Sequence, residues 1–400
     1  MSGRRPLDFR LLATVLALTV LGMVMISSVS VYPSNKITSM MVKLGRLDEP
    51  NNYFYLLRNM AHVAIGFTVL AVVSRTPYRW FERHAKRFFF LTVGLLLAVL
   101  LFGQTYNGAK GWLNVPFVPF LLQPAEFLKV GAILYLSYFI KRRRQDMGDL
   151  HRGFLPFLAA MSAFVLPLAL QPDFGTILVI VPIAILLYFL GGGNAKYLAV
   201  FAGACVILGG GAYAMGMHDG PDDRGKLSYI TDRIDNFFSS NREAIKAKTI
   251  NYQTEQGLIA IGSGGFWGLG FGKSVQKYGY LPEAEGDFIF SIAAEELGFV
   301  GVCAIVGAIL FLTWRGLEIA RRAEDPFARY VACGVTAWIF IQSFVNIGVN
   351  LNVVPLTGMT LPFISYGGSS LIALMVGVGI MLNISREAPE AVSYHARRLA

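Results

Sequence analysis

Leu11-Leu12-Ala13-Thr14-Val15-Leu16-Ala17-Leu18-Thr19-Val20-Leu21-Gly22-Met23-Val24-Met25-Ile26-Ser27-Ser28-Val29-Ser30-Val31 carries no charge from end to end. A membrane-spanning helix needs about 20 predominantly apolar residues. This stretch alone therefore makes the chain a membrane protein. It starts behind Arg4, Arg5 and Arg10 and lacks a small-residue cleavage site. It reads as a retained first span, not a removed signal peptide.

The rest of the chain repeats the pattern. Hydrophobic residues make up 54% and charged residues 15%, where a soluble domain carries about 25% charged residues. Further apolar segments fall at 55–74, 88–103, 120–140, 154–170, 174–192, 197–215, 288–314, 330–350 and 369–384. The expectation is an all-α polytopic fold of about ten transmembrane helices. Residues 1–400 read as one transmembrane domain, with one large loop at 216–287 between spans seven and eight and a tail from about 385.

Charge sets the orientation. With the N-terminus inside, segments 1–10, 75–87, 141–153, 193–196, 315–329 and 385–400 hold 21 of the 35 Lys and Arg residues. The outer segments hold 13, and Lys129 lies within a span. Long loops weigh little in the positive-inside rule. Without the loop at 216–287 the split is 21 to 5. Both termini are expected in the cytoplasm. The net charge of +10 then reflects anchoring beside anionic lipid, not nucleic-acid binding. Lys141-Arg142-Arg143-Arg144 reads as a topology signal. Cys205, Cys303 and Cys333 fall in spans at unrelated spacing, with no disulfide framework or metal motif.

Polar breaks gather on the outer side of this topology. Gln123-Pro124-Ala125-Glu126-Phe127-Leu128-Lys129 opens the fourth span, and Gln171-Pro172-Asp173-Phe174-Gly175-Thr176 separates the fifth from the sixth. Asn346-Ile347-Gly348-Val349-Asn350 ends the ninth, and Pro355 to Ser370 leads into the tenth. Within the long loop, Gly257 to Gly272 is apolar but too Gly-rich for a stable span. It is expected as irregular backbone folded onto the bundle, which survives at membrane depth only under a cover of protein or water. The loop ends in Gln276-Lys277-Tyr278-Gly279-Tyr280-Leu281-Pro282-Glu283-Ala284-Glu285-Gly286-Asp287, running straight into the apolar segment from Phe288.

Each motif has a structural reading beside a functional one. Asp287 starts a helix, where an Asp caps backbone N–H groups. It also sits at the membrane edge, where an ionisable group points to function. Glu126 and Lys129 share a helix face and form either an internal ion pair or a phosphate-binding pair. Lys110 and Trp112 are an interfacial anchor or contacts for a lipid-linked phosphate and a sugar ring. Asp173 caps a helix or joins an ion site. Asn346 and Asn350 are expected to cross-link helices. Ser365 caps or lines the cavity, and Gln253 and Glu283 complete the candidate substrate-binding residues. Glu295 and Glu296 must point into the bundle or pair with cations.

Taken together, these motifs resemble the SEDS family (shape, elongation, division and sporulation), which includes FtsW, RodA and SpoVE. The resemblance runs from the first span to Ile384. Its most specific parts are Pro355 to Ser370, Gln123 to Lys129, Gln171 to Thr176 and Gly272 to Gly298. Ser274-Val275-Gln276-Lys277 followed by Tyr280-Leu281-Pro282-Glu283-Ala284 resembles the FtsW branch more than the RodA branch. The family pattern carries His-Thr-Asp where this chain has Glu285-Gly286-Asp287. The Asp is kept and its two neighbours differ.

The resemblance implies a ten-span peptidoglycan glycosyltransferase that polymerises lipid II on the outer face of the bacterial cytoplasmic membrane. Asp287 matches the family's essential loop Asp, and Glu126 and Lys129 match a functionally important pair. The implied role is septal wall synthesis in cell division. The alternatives are an elongation polymerase of the RodA type, a transporter that flips lipid II, and a non-catalytic scaffold. The implied partners are lipid II, the growing lipid-linked strand, a class B penicillin-binding protein, other divisome proteins and membrane lipid. A divalent cation, Mg2+ or Mn2+, is compatible with the polar site, with Asp173 as its candidate ligand. No sequence spacing establishes it.

Overall fold

The computed structural model describes residues 7–106, 109–114, 121–216 and 249–387. It is a helical bundle: α1 (Phe9–Val29), α2 (Val31–Lys43), α3 (Phe54–Arg75), α4 (Tyr78–Phe102), α5 (Pro124–Arg142), α6 (Leu155–Leu170), α7 (Phe174–Leu190), α8 (Ala195–Gly216), α9 (Thr249–Gly264), α10 (Ile289–Arg322), α11 (Pro326–Asn350) and α12 (Gly368–Glu387). A short antiparallel hairpin, β1 (Gln104–Tyr106) and β2 (Ala109–Trp112), sits between α4 and α5.

Each of the ten apolar segments expected from the sequence is helical over most of its length among the described residues. Among the described residues, seven helical segments have the length and apolarity to cross a membrane. Helices α7 and α8 contribute shorter apolar stretches. In α5, Glu126, Lys129, Lys141 and Arg142 break the apolar run. The chain is thus an all-α polytopic membrane protein.

Two elements depart from the expectation. The first span ends at Ser30, and a further helix, α2, follows where a loop was expected. The Gly-rich stretch is helical as far as Gly264 and irregular only beyond it. Gly257 is tolerated in α9 because a Cβ there would meet the Phe288 ring at 2.9 Å. Glycine lets the two backbones approach. The stretch His218 to Lys248, expected as water-exposed, lies outside the described residues, as does the tail beyond Glu387.

Starts and stops follow local chemistry. Asp8, Asp173 and Asp325 each accept a backbone N–H at the first turn of α1, α7 and α11, the usual N-cap bond. Pro124 and Pro326 occupy first-turn positions of α5 and α11, where no intrahelical donor is lost. The centre of the bundle is α11 and α12, whose apolar windows are 72% and 83% buried, against 22% for α4.

The two ends of the bundle differ in kind. At one end, Arg315 pairs with Asp8, and Lys141 bridges Glu82 and Asp325. The Asn383 side chain accepts from Tyr78 N–H at 2.8 Å and donates to the Ser74 carbonyl at 3.0 Å, closing the α3–α4 turn onto α12. At the other end, the starts of α5, α7, α10 and α12 meet the end of α11. Every polar break named above for spans four to ten belongs to this second end.

Candidate active site

The segment Gly265 to Phe288 lacks regular structure, yet its backbone is well satisfied. Helix α10 is broken at Gly298, which has φ 70° and ψ −171°. This is a conformation that only glycine adopts readily. The break frees the carbonyls of Glu295 and Glu296 to accept from Leu269 and Gly270 N–H at 2.9 and 3.0 Å. The N–H groups of Phe299 and Val300 donate in turn to the Gly265 and Phe266 carbonyls. A broken helix and an irregular segment thereby satisfy each other, as apolar surroundings require.

Further along, the side chains of Glu295 and Glu296 receive the loop. Glu295 accepts from Val275 N–H at 2.9 Å and from the Ser274 hydroxyl. Lys277 Nζ donates to Glu296 Oε1 at 2.8 Å and to Ser28 Oγ of α1 at 2.7 Å. Ser28 also donates to Glu296 Oε1. All five side chains are buried. The two carboxylates inside the span therefore point into the bundle and hold loop donors, as the sequence required.

Asp287 ends the loop and is half-buried. Phe288, not Asp287, occupies the N-cap position of α10, and its own side chain makes no capping bond. The capping reading of Asp287 is therefore not what the fold uses. Its backbone carbonyl accepts from the Asn346 and Asn350 amides, both at 2.9 Å. Asn350 also accepts from Ser291 N–H at 3.1 Å, tying α11 to the first turn of α10. The expected helix cross-link is present, and Asp287 is fastened by the same residues. Next to it, Ser365 donates to the Gly286 carbonyl at 2.7 Å, and Tyr366 N–H donates to the Glu285 carbonyl at 2.9 Å. Glu283 adopts φ 54° and turns the chain, its carbonyl accepting from Gly286 and Phe288.

The main chain is fixed while the carboxylate is left open. Among the described residues, the Asp287 carboxylate has no hydrogen-bond or ion-pair partner. A Cβ added at Gly358 would lie 3.5 Å from its Oδ2. Burial, followed by the nearby Glu283 and Glu285 charges, raises its pKa to about 7. Glu285 is likewise raised to about 7, first by burial. Desolvation and like charge both disfavour the ionised form.

A second polar group lies beside the first. Lys129, only 2% exposed, donates to Glu126 at 2.8 Å and to Gln342 at 2.8 Å, with the Trp338 ring at 5.2 Å. The internal ion pair is thus formed. Glu126 Oε2 is buried without a hydrogen-bond partner. Gln342 donates to the Thr360 carbonyl at 3.0 Å, and Asn346 to the Met359 carbonyl at 2.6 Å. The segment Met359–Thr360 therefore joins the Lys129 group to the Asp287 group. Gln342 escaped the sequence reading. Its signal was spacing: Trp338, Gln342, Asn346 and Asn350 recur every four residues and share one face of α11.

The remaining candidates are distributed around this wall. Asp173 accepts from Thr176 N–H at 3.0 Å and Thr176 Oγ1 at 2.7 Å, so it is the cap of α7. Burial raises its pKa. Among the described residues, no three His, Cys, Asp or Glu side chains gather as a metal-binding group. Gln253 is half-buried on α9, one turn before Gly257. Trp112 is half-buried at the end of β2. Lys110 lies on β2, and its side chain falls outside the described residues, as does that of Cys205. Arg58, unremarked in the sequence, reaches the Tyr366 hydroxyl from α3.

The fold and its polar end define a polytopic membrane bundle with a candidate site, an unpaired carboxylate, at one end. The family model described as cell cycle protein, that of FtsW, RodA and SpoVE, matches residues 9–390, and the chain belongs to this family. It is 34% identical over 384 residues to a protein of Allochromatium vinosum named probable peptidoglycan glycosyltransferase FtsW, covering 95% of this chain and 90% of that one. It is 33% identical to stage V sporulation protein E of Bacillus subtilis, over 95% and 97% of the two chains. Among solved structures, it resembles a chain from a study titled structural coordination of polymerization and crosslinking by a peptidoglycan synthase complex. That match has TM-score 0.75 and 25% identity, over 95% of this chain and 98% of that one. It also resembles the rod shape determining protein RodA of Thermus thermophilus, with TM-score 0.66 and 26% identity over 96% and 98%.

Proposed function

We propose that this protein is a peptidoglycan glycosyltransferase of the FtsW type that polymerises lipid II for septal wall synthesis. Its relatives' names support the reaction class. The observation that carries the proposal is the Asp287 carboxylate: fixed at its backbone, free at its oxygens and poised near pH 7.

The chemistry follows from that poise. The acceptor is the GlcNAc 4-hydroxyl of one lipid II, a weak nucleophile at neutral pH. Asp287 takes its proton as the oxygen attacks the MurNAc anomeric carbon of the growing strand, with inversion. General base catalysis of this kind is worth roughly 10²–10⁴-fold. Undecaprenyl diphosphate departs and needs positive charge as it leaves. Lys129 is committed to Glu126 and Gln342, so the diphosphate falls to Lys110 on the hairpin. The Glu126–Lys129 pair fixes α5 against α11 at the edge of the site. Gln253, Glu283 and Trp112 are assigned to the sugar headgroup.

The orientation belongs to the same proposal. The ten-span count puts both termini inside, with the Lys141 and Arg315 end in the cytoplasm and the Asp287 end outside. The isoprenoid stays in the bilayer while its headgroup enters the site. The lipid arrives oriented, which lowers the entropic cost of meeting the acceptor. Residues 1–400 act as one catalytic domain, and a class B penicillin-binding protein cross-links the product.

The test is strand formation from labelled lipid II by purified protein, alone and with a class B penicillin-binding protein. Wild type should form strands and Asp287→Asn should not. Movement of lipid II between vesicle leaflets without strands would establish the transporter reading instead.

A further inference from the structure

We infer that Lys277 is a positioning residue for Asp287, acting by clamping the loop to α1 and α10 at once. This deepens the proposed function and rests on it for the catalytic readout only. The loop that carries Asp287 is tied along its whole length. Its start is bonded to the break at Gly298, Ser274 and Val275 are bonded to Glu295, and its end is bonded to α11 and to Ser365 and Tyr366. Between them, ten residues before Asp287, Lys277 reaches Ser28 and Glu296 with one ammonium group.

The middle tie differs from the others in three respects. It involves a buried cation and carboxylate, each at most 4% exposed. It joins residues far apart in the chain, since Ser28 lies 249 positions from Lys277. It has also left Glu296 Oε2 buried without a hydrogen-bond partner, which a sequence selected for stability alone would have replaced by apolar packing. In some proteins a buried pair of this kind fixes one arrangement among several, and that is the role inferred for this one. Here the arrangement fixed is the path from Ser274 to Leu281. That path turns at Leu281, whose N–H bonds the Gln276 carbonyl at 3.0 Å. Tyr32 of α2 backs the same turn, because a Cβ on Gly279 would meet its ring at 2.7 Å. The α1–α2 corner thus forms a seat for the catalytic loop, and Lys277 bolts the loop to it.

The test uses the full-length protein in lipid nanodiscs with Lys277→Met, Lys277→Arg and the double variant Lys277→Met, Glu296→Met. The single change strands Glu296 and lowers the unfolding temperature. The double change removes both charges and restores that temperature to within a few degrees. If Lys277 positions the loop, hydrogen exchange across residues 276–287 still rises about tenfold in the restored double variant. Its kcat falls by roughly a hundredfold, the scale of a misplacement near 1 Å, with KM little changed. Lys277→Arg recovers part of the rate. A double variant with wild-type exchange in 276–287 and wild-type kcat overturns the inference. If wild type itself makes no strands, the functional reading fails, and the exchange measurement still decides the clamp. Asp287→Asn, with lost activity and unchanged exchange, keeps the two questions apart.

Discussion

Glu295–Glu296 and Glu285–Asp287 are two acidic groups on one stretch of chain, and the fold treats them oppositely. The first pair is buried and supplied with donors: Ser28, Ser274, Val275 and Lys277. The second is half-buried, and the Asp287 carboxylate has no such donors among the described residues. A carboxylate held by loop donors and a buried cation is a mechanical part. One that is desolvated and unfilled holds its proton near neutral pH, and can exchange it with a substrate. Position in the chain does not separate the two roles; the donors around them do.

The most damaging change to this contrast is Asp287→Asn, which keeps the shape and removes the base. Strand synthesis should fall by roughly 10²–10⁴-fold, measured as polymer from labelled lipid II. The bundle should stay folded, because the backbone ties at residue 287 do not use the carboxylate.

Next comes Lys129→Met, which extends the contrast to the neighbouring polar group. It leaves Glu126 buried without its cation, and breaking a buried pair this way costs about 3–5 kcal/mol. The double change Lys129→Met, Glu126→Gln should recover much of that loss in a thermal unfolding measurement. Equal destabilisation by the single and double variants would mean that the pair contributes through something other than charge compensation.

Smaller is the effect of Asn350→Ala. It withdraws one donor from the Asp287 carbonyl and the acceptor of Ser291. Leaving buried polar groups unmatched costs about 1–3 kcal/mol each. The expected result is a reduced kcat at nearly constant KM, since the base is displaced and not deleted. A raised KM with intact kcat would move Asn350 to substrate binding.

These contrasts mark what the sequence could reveal. The uncharged run Leu11–Val31 and its successors placed the helices because lipid demands long apolar segments. Helix α2 escaped because it is short and not apolar enough to span. Helix α9 escaped because Gly257 reads as a breaker unless the Phe288 ring beside it is known. Asp287 stood out, but capping and catalysis share the same sequence signal. Only the fold shows that Phe288 takes the cap position. The Lys277–Glu296–Ser28 contact was hidden, because its three members come from distant segments. Gln342 was within reach, four residues from Asn346 on a helix whose polar face repeats.

The finest distinction is titration. Asp287 is raised to about 7 by burial first, then by Glu283, then by Glu285. Glu285 is itself raised to about 7, by burial first and then by the charge of Glu283. A base works deprotonated, so the rate should climb as pH rises through about 7. Removing either neighbour's charge should lower the midpoint, by up to about one unit. Glu283→Gln should lower it more than Glu285→Gln, following the order of the two charges. Stability should run the other way. The folded state holds a proton on Asp287 that the unfolded chain, with a value of 3.8, has already released above about pH 4. Its contribution is full below that pH and is lost as pH rises through about 7. Asp287→Asn should flatten that part of the stability curve. A rate profile with no inflection between about pH 6 and 8, unmoved by either glutamine, would remove the titrating acid from the mechanism. The buried pair Glu295–Glu296 would then no longer differ from it in chemistry, only in place.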